Sequence, residues 1–263
     1  MSRRGRRVPW IAVLVALVGF AFIAIPLVGL VQQVPWGDLW TNLKDPEATS
    51  ALRLSVVCSL WATALSVVFG VPLAYVLARV TFPGRAIVRA LVLLPLVVPP
   101  VVGGVGLFYA FGRNGILGQY LYDWFDVQLT FSTAGVVMAE TFVAMPFLVI
   151  TVEAALRSMD RRYEDAAATL GAGRLTVARR VTLPLIAPGL LAGAALAWAR
   201  ALGEFGATIT FAGNIQGRTR TVPLAVYLLL ESKPDVAVGL SVVLLAVCVA
   251  VLALLRDRWL GVG

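Results

Sequence analysis

The chain has 263 residues, of which 60% are hydrophobic and only 14% are charged, with a net charge of +8 and no histidine. Soluble domains are typically about 45–50% apolar and about 25% charged, so this composition indicates an integral membrane protein. The arginines cluster beside apolar segments, which favours a signal for membrane topology over a nucleic-acid interface. Both cysteines lie within apolar segments, so the sequence offers no ligand set for a zinc or haem site.

Six apolar segments are long enough to cross a bilayer, which requires about 20 residues per helix. They are predicted at residues 10–31, 54–79, 87–111, 133–156, 187–211 and 235–255. The basic start followed by the first segment resembles a signal peptide, but its apolar run exceeds the roughly 7–15 residues of such a peptide. We interpret it as an uncleaved first helix. The expected fold is an all-α membrane protein with one transmembrane domain over residues 1–263.

The positions of the basic residues predict the orientation of the chain. If the N-terminus is cytoplasmic, fifteen basic residues fall in the inner segments and six in the outer ones. The outer six are Lys44, Arg53, Arg113, Arg218, Arg220 and Lys233. Because basic residues accumulate in cytoplasmic loops, both termini are expected inside the cell. The polar segment 157–186, between the fourth and fifth spans, is then cytoplasmic.

The third span contains a break in its helical pattern. Pro95, Pro99 and Pro100 interrupt it, and Gly103 and Gly104 follow. Irregular backbone at membrane depth is tolerated only inside protein or beside a water-filled cavity. Gly103 and Gly104 are therefore candidates to line a pathway, although helix packing is an alternative role. Small residues also recur at four-residue steps in the fifth span, at Gly189, Gly193, Ala197 and Ala201, a spacing typical of close helix contacts.

Charged residues lie within the fifth span. A charged side chain in the bilayer has a high free-energy cost, so such residues usually face the bundle interior. Arg200 and Glu204 are four residues apart, on one face of the predicted helix, and Thr208 follows one turn later. Two interpretations remain open: these residues form a pathway or gate, or the pair is an internal strut. Glu140 in the fourth span has no local partner, and a pairing with Arg200 across the bundle is a further hypothesis.

The segment between the fourth and fifth spans has a regular pattern. Glu164 and Asp165 precede three alanines, Gly171 follows, and Val181-Thr182-Leu183-Pro184 comes nine residues later. An acid near a helix start and a glycine at its end are both favourable, so the pattern predicts a helix, a sharp turn and a second helix. An arginine-rich helix lying on the membrane surface is the alternative.

This segment resembles the EAA loop of the inner-membrane permease subunits of ATP-binding-cassette importers. The family pattern is E-A-A, three residues, Gly, nine residues and Ile-x-Leu-Pro. The matching positions here are Asp165, Ala166, Ala167, Gly171, Val181, Leu183 and Pro184. Aspartate replaces the glutamate of the family pattern, and valine replaces its isoleucine. Because Glu164 directly precedes Asp165, either acid could make the acidic contact. Residues 94–104, 111–118 and 199–221 are also similar to molybdate permeases, with sulfate and tungstate permeases as near alternatives.

The resemblance implies a type I importer bundle of six transmembrane helices with a cytoplasmic coupling helix, in the inner membrane. It implies that two copies pair around a central pathway and that the coupling helix contacts a dimer of ATPase subunits. It also implies an extracytoplasmic binding protein that delivers the oxyanion. In this family Asp165, Ala166, Ala167, Gly171 and Pro184 would serve coupling, and Arg200, Glu204, Thr208, Gly103 and Gly104 would be pathway or gate candidates.

The energy source separates this interpretation from the others. The sequence contains no G-x-x-x-x-G-K-[ST] phosphate-binding loop, so we expect no bound cofactor and assign ATP hydrolysis to the partner. The chain is then a transport subunit and not itself an enzyme. One alternative is an ion-coupled secondary transporter that uses Glu140 and Glu204. Another is a membrane scaffold without transport activity.

Overall fold

The computed structural model describes residues 9–259, which fold into α-helices with no strand in that range. The predicted inner arginines Arg3, Arg4, Arg6 and Arg7 lie outside the described residues. The helices in chain order are α1 (Trp10–Gln32), α2 (Leu39–Leu43), α3 (Pro46–Arg79), α4 (Arg85–Val97), α5 (Pro100–Phe111), α6 (Gly118–Phe125), α7 (Thr133–Ser158), α8 (Arg162–Thr169), α9 (Arg174–Val177), α10 (Leu183–Leu202), α11 (Gly206–Phe211), α12 (Val222–Ser232) and α13 (Pro234–Trp259). A π-helical turn, Ala178–Thr182, joins α9 to α10.

Five of the six predicted spans contain one long apolar helix within the described residues: α1, α3, α7, α13 and the continuous helical stretch Arg174–Leu202 that ends with α10. Helix α3 has 34 residues and begins at Pro46, earlier than the predicted residue 54. Asp45 fixes this start, because its side chain accepts a hydrogen bond from the backbone N–H of Glu47 at 2.8 Å. Pro46 then occupies the first helical position, where a missing N–H is harmless. The first turns of α3 therefore extend beyond the predicted span.

The third predicted span, 87–111, is not one straight helix. It consists of α4 and α5, whose axes are bent by 119° at the break. Val98 is extended because a residue before a proline disfavours the helical region, and Pro99 is extended as well. Pro100 then starts α5 as its first residue. The prolines thus end one helix and begin another.

The fifth predicted span, 187–211, is also divided. Helix α10 ends at Leu202, and the short helix α11 begins at Gly206. Between them Gly203, Glu204 and Phe205 leave the helical conformation. The prediction that Glu204 lies on a continuous helix was therefore wrong. Its side chain instead accepts a hydrogen bond from the backbone N–H of Ala207 and caps the start of α11.

Helix α7 is the centre of the bundle and packs against α3, α10 and α11. Its main core cluster joins the buried residues Leu77 of α3, Leu148 and Val152 of α7, and Ala197 of α10. Close approach is possible because α10 has glycines facing α7. A Cβ atom at Gly189 would lie 2.6 Å from the Cβ of Ala155, which confirms the predicted packing role of the small residues.

Two elements lie at the periphery of this core. Helix α1 has no buried residue, and its main contact is with α13, so its apolar surface is available to lipid or to another chain. Helix α12 lies in the predicted loop between the fifth and sixth spans. It packs on the start of α3 and on α13, forming a second core cluster that includes Ala51, Val222, Ala225 and Leu240. No pattern in the sequence predicted α12.

Candidate functional site

Helix α8 presents most of the predicted coupling residues to solvent. Asp165 lies in its first turn, and both Asp165 and Ala166 are exposed, while Ala167 is half-buried. Leu170 directly after the helix is 88% exposed, an unusual state for a leucine outside a membrane-spanning segment. The solvent-exposed surface of α8 and the turn after it therefore carries an acidic, a small and an apolar side chain: Asp165, Ala166 and Leu170.

The turn after α8 has the geometry that the sequence predicted. Gly171 has a φ of +83°, in the left-handed region that a residue with a Cβ atom rarely adopts. Its N–H donates to the carbonyl oxygen of Ala168 at 2.9 Å and closes the helix end. Gly173 follows with an ordinary φ of −66° and starts α9. Pro184 lies in the first turn of α10 and is exposed.

The two adjacent acids of α8 have different environments. The Glu164 carboxylate forms an ion pair with Arg79 at the end of α3, at 3.3 Å. It also accepts a hydrogen bond from the hydroxyl of Thr182, at 2.7 Å. Among the side chains that the structure describes, those of residues 9–253, Asp165 forms no ion pair. Glu164 therefore attaches α8 to its own bundle, which leaves Asp165 accessible to another molecule.

The sequence pattern does not indicate this attachment, because Arg79 reads there only as a topology signal. Further charges lie near the same end of the bundle: Glu153 on α7 forms ion pairs with Arg89 of α4 and, at 2.8 Å, with Arg157. The contacts gather several of the predicted inner arginines at the end of the bundle that carries α8, which we call the α8 end. Lys44, Arg220 and Lys233, from the predicted outer set, lie near the start of α3 at the opposite end.

Glu204 connects α10 and α11 through its side chain. One carboxylate oxygen accepts a hydrogen bond from the backbone N–H of Ala207, at 2.7 Å, and so caps the start of α11. The other lies 2.6 Å from a guanidinium nitrogen of Arg200, on the last turn of α10. The Glu204 side chain is 1% exposed and that of Arg200 is 27% exposed. The ion pair therefore exists as predicted, with only its cation accessible.

The break in the third span packs directly against this second break. A Cβ atom at Gly206 would lie 2.9 Å from the Cβ of Pro100. One at Gly104 would lie 2.8 Å from the carbonyl oxygen of Ala207, and Gly103 faces the ring of Phe142. Gly103 and Gly104 are buried, so in this conformation they allow helices to approach each other. Their role in a pathway stays a prediction.

Two buried polar side chains near these breaks lack hydrogen-bond partners within the described part of the chain. Glu140 on α7 is 1% exposed, and one of its carboxylate oxygens has no partner. Glu140 forms no ion pair with Arg200 in this structure, because Glu204 holds that arginine. Thr208 on α11 is fully buried, and its hydroxyl has no partner either. The hypothesis of a cross-bundle pair is therefore not supported.

Comparison with known proteins agrees with this architecture. Residues 66–262 match the family described as the inner membrane component of binding-protein-dependent transport systems. The chain belongs to this family. The permease is also 50% identical, over 250 residues, to the molybdenum transport system permease protein ModB of Mycobacterium tuberculosis, and the match covers 94% of this chain and 91% of the relative.

Two further similarities are to a sulfate permease and to a solved structure. It is 38% identical over 212 residues to the sulfate transport system permease protein CysT of Salmonella typhimurium, covering 80% of this chain and 76% of that relative. Its fold matches a chain of the bacterial ABC transporter that imports the acidic polysaccharide alginate, with a TM-score of 0.71, 20% identity and 94% coverage of both chains. The expected type I importer fold is therefore confirmed, and the protein is a multi-pass membrane permease.

Proposed function

We propose that this permease forms the membrane pathway for molybdate, in an importer whose energy comes from a separate ATPase. The observation that carries the proposal is the 50% identity to a molybdenum permease over 94% of the chain. Identity to the sulfate permease is 38% over 80% of the chain, so sulfate is the second choice. Tungstate, another tetrahedral oxyanion, is the remaining alternative. The family itself favours import with a binding protein over an ion-coupled carrier that uses Glu140 and Glu204.

The exposed surface of α8 is the proposed contact for a dimer of ATPase subunits. Asp165 supplies a charge, while Ala166 and Ala167 are small enough for the helix to enter a cleft. Gly171 sets the direction in which the chain leaves α8, and Pro184 starts the helix that leads to Arg200. Because Glu164 is tied to Arg79, a movement of α8 is transmitted directly to α3. In this proposal ATP is bound and hydrolysed only by the partner.

The proposed pathway forms between two copies of the chain, with Arg200 as its anion-binding group. Arg200 is partly exposed, and a guanidinium binds tetrahedral oxyanions well through its several donors. Glu204 holds the guanidinium in place and lowers its net charge, which would keep the anion from binding too tightly to leave. Thr208, Gly103 and Gly104 lie at the adjoining breaks and are proposed to shape this region when the helices move.

We further propose that both chain termini and α8 are cytoplasmic, as the distribution of basic residues predicts. The opposite end of the bundle would then receive the extracytoplasmic binding protein. There Glu47 and Arg220 form an ion pair at 3.0 Å, which joins α3 to the loop before α12 and gives the receiving surface a fixed shape.

Competition between oxyanions tests the proposed cargo. Proteoliposomes containing the permease, its ATPase and the binding protein should accumulate radioactive molybdate when ATP is supplied. Excess unlabelled molybdate should abolish the signal, and sulfate at equal concentration should leave most of it. Stronger inhibition by sulfate than by molybdate would contradict the assignment. Repeating the test with a binding-protein-independent permease variant would separate the selectivity of the pathway from that of the binding protein.

A further inference from the structure

A basic cavity of about 750 Å³ lies beside the start of α3, away from the residues assigned to coupling and to the pathway. Lys44 and Arg53 supply its two cationic groups, and Thr49 and Ser50 line it with hydroxyls. Leu54 and Val57, one turn further along α3, form an apolar wall. No carboxylate belongs to the described lining. The cavity therefore combines a positively charged, hydrogen-bonding part with an apolar part.

The two cations of this cavity are not neutralised by the protein. Among the described side chains of residues 9–253, neither Lys44 nor Arg53 lies at ion-pair distance from a carboxylate. The acids nearest in sequence are already occupied: Asp45 binds Lys233 at 2.8 Å, and Glu47 binds Arg220 at 3.0 Å. The hydrogen bond from Lys233 lowers the pKa of Asp45, so this carboxyl stays ionised and committed to its own partner. Two positive charges thus remain for an external anion.

The position of the cavity along α3 matches the headgroup region of a membrane. Arg53 and Arg79 are both on α3, and 26 helical residues at about 1.5 Å each separate them by about 39 Å. The hydrocarbon core of a bilayer is about 30 Å thick, and about 40–45 Å with its headgroup regions. With Arg79 at the α8 end, Arg53 reaches the opposite headgroup region. Trp40, which is 70% exposed and lies 5.1 Å from the Lys44 ammonium, is typical of such an interface.

We propose that this cavity binds the phosphate group of an anionic phospholipid. Lys44 and Arg53 would hold the phosphate, and Ser50 would donate to one of its oxygens. The hydroxyl of Thr49 already donates to the carbonyl oxygen of Leu43 at 3.1 Å, so it lines the cavity without adding a donor. Leu54 and Val57 would contact the start of an acyl chain. A free tetrahedral oxyanion offers the same phosphate-like chemistry to the cations. A free oxyanion would leave the apolar wall without a contact and most of the 750 Å³ volume unfilled. We therefore favour a lipid as the source of the phosphate group.

Native mass spectrometry of the intact complex with its ATPase tests this site. The complex is equilibrated with vesicles containing equal amounts of phosphatidylglycerol and phosphatidylcholine, and the retained lipids are counted. The native chain should retain phosphatidylglycerol preferentially. Each cation near a membrane surface is worth about 1 kcal/mol toward anionic lipid, or about fivefold in affinity. The double variant Lys44→Gln/Arg53→Gln should therefore bind phosphatidylglycerol about 30-fold more weakly.

Two control variants keep this test decisive. Lys44→Arg retains the charge and should retain the lipid, even if the double variant is poorly folded. Arg113→Gln removes an exposed cation that does not line the cavity, and should leave lipid retention unchanged. Equal retention by the native chain and the double variant would overturn the proposal. Displacement of the lipid by millimolar phosphate or molybdate would also overturn it, because the site would then accept a free oxyanion.

Discussion

The two polar regions of this permease differ in where their acidic groups find partners. In the break between α10 and α11, Glu204 is 1% exposed and binds both Arg200 and the N–H of Ala207. On α8, Asp165 is exposed and forms no ion pair with any side chain described, that is within residues 9–253. The acid of the first region is paired within its own chain, and the acid of the second is exposed on the surface that we propose as the contact for the ATPase. A mutation should therefore affect stability in the first region and coupling in the second.

The largest loss of stability is expected from Glu204→Ala. Removing one partner of a buried ion pair typically costs about 3–5 kcal/mol, and the loss should lie near the lower end of this range because Arg200 is 27% exposed and water can solvate it. This variant also leaves the N–H of Ala207 without its acceptor. A fall in the thermal unfolding midpoint of the detergent-solubilised protein would show the effect. Asp165→Ala is the matched control, and an equal fall in both variants would contradict the comparison.

A smaller loss is expected from Gly104→Val, at the contact between α5 and α11. Its side chain would meet the carbonyl oxygen of Ala207, and overpacking of this kind typically costs about 1–3 kcal/mol. Gly106→Val is the control, because a Cβ atom at Gly106 has no neighbour within 4 Å. Thermal unfolding of the two variants tests the contact. If Gly106→Val is as destabilised as Gly104→Val, the close approach of the helices does not explain the result.

Gly171→Val should uncouple transport while leaving the bundle intact. A left-handed residue with a Cβ atom costs about 1–2 kcal/mol, and the strain is local to the turn after α8. The ratio of molybdate transported to ATP hydrolysed should fall, with little change in the unfolding midpoint. Gly173→Val is the control, since Gly173 has a negative φ and open space around its Cβ position. Loss of coupling in both variants would indicate a general sensitivity of the loop.

The smallest effect on stability is expected from Asp165→Asn, which should still lower ATP-driven uptake. Glu164→Gln should instead loosen the attachment of α8 to the bundle, because it removes the ion pair with Arg79. It should also lower uptake, since this ion pair is proposed to transmit the movement of α8 to α3. Limited proteolysis of the segment 157–186 measures the attachment of α8, and uptake measures coupling. Equal proteolysis of both variants would show that Glu164 does not anchor the helix.

Much of the fold could be predicted from the sequence because a bilayer demands long apolar helices. The prolines at positions 95, 99 and 100 also predicted the break in the third span, and Gly171 predicted the end of α8. The break before Glu204 was missed because its cause is a side chain that caps the next helix, with no proline to mark it. The attachment of Glu164 to Arg79 was missed because it joins residues 85 positions apart. Such contacts depend on tertiary packing, which a local pattern does not contain.

Reconstitution of the purified permease shows whether its transport depends on a separate ATPase. The permease alone should not transport molybdate, whether or not a proton gradient is imposed. Addition of the ATPase, the binding protein and ATP should start uptake, and the effect of Asp165→Asn should be to reduce it. Uptake by the permease alone, driven by the proton gradient, would contradict the account.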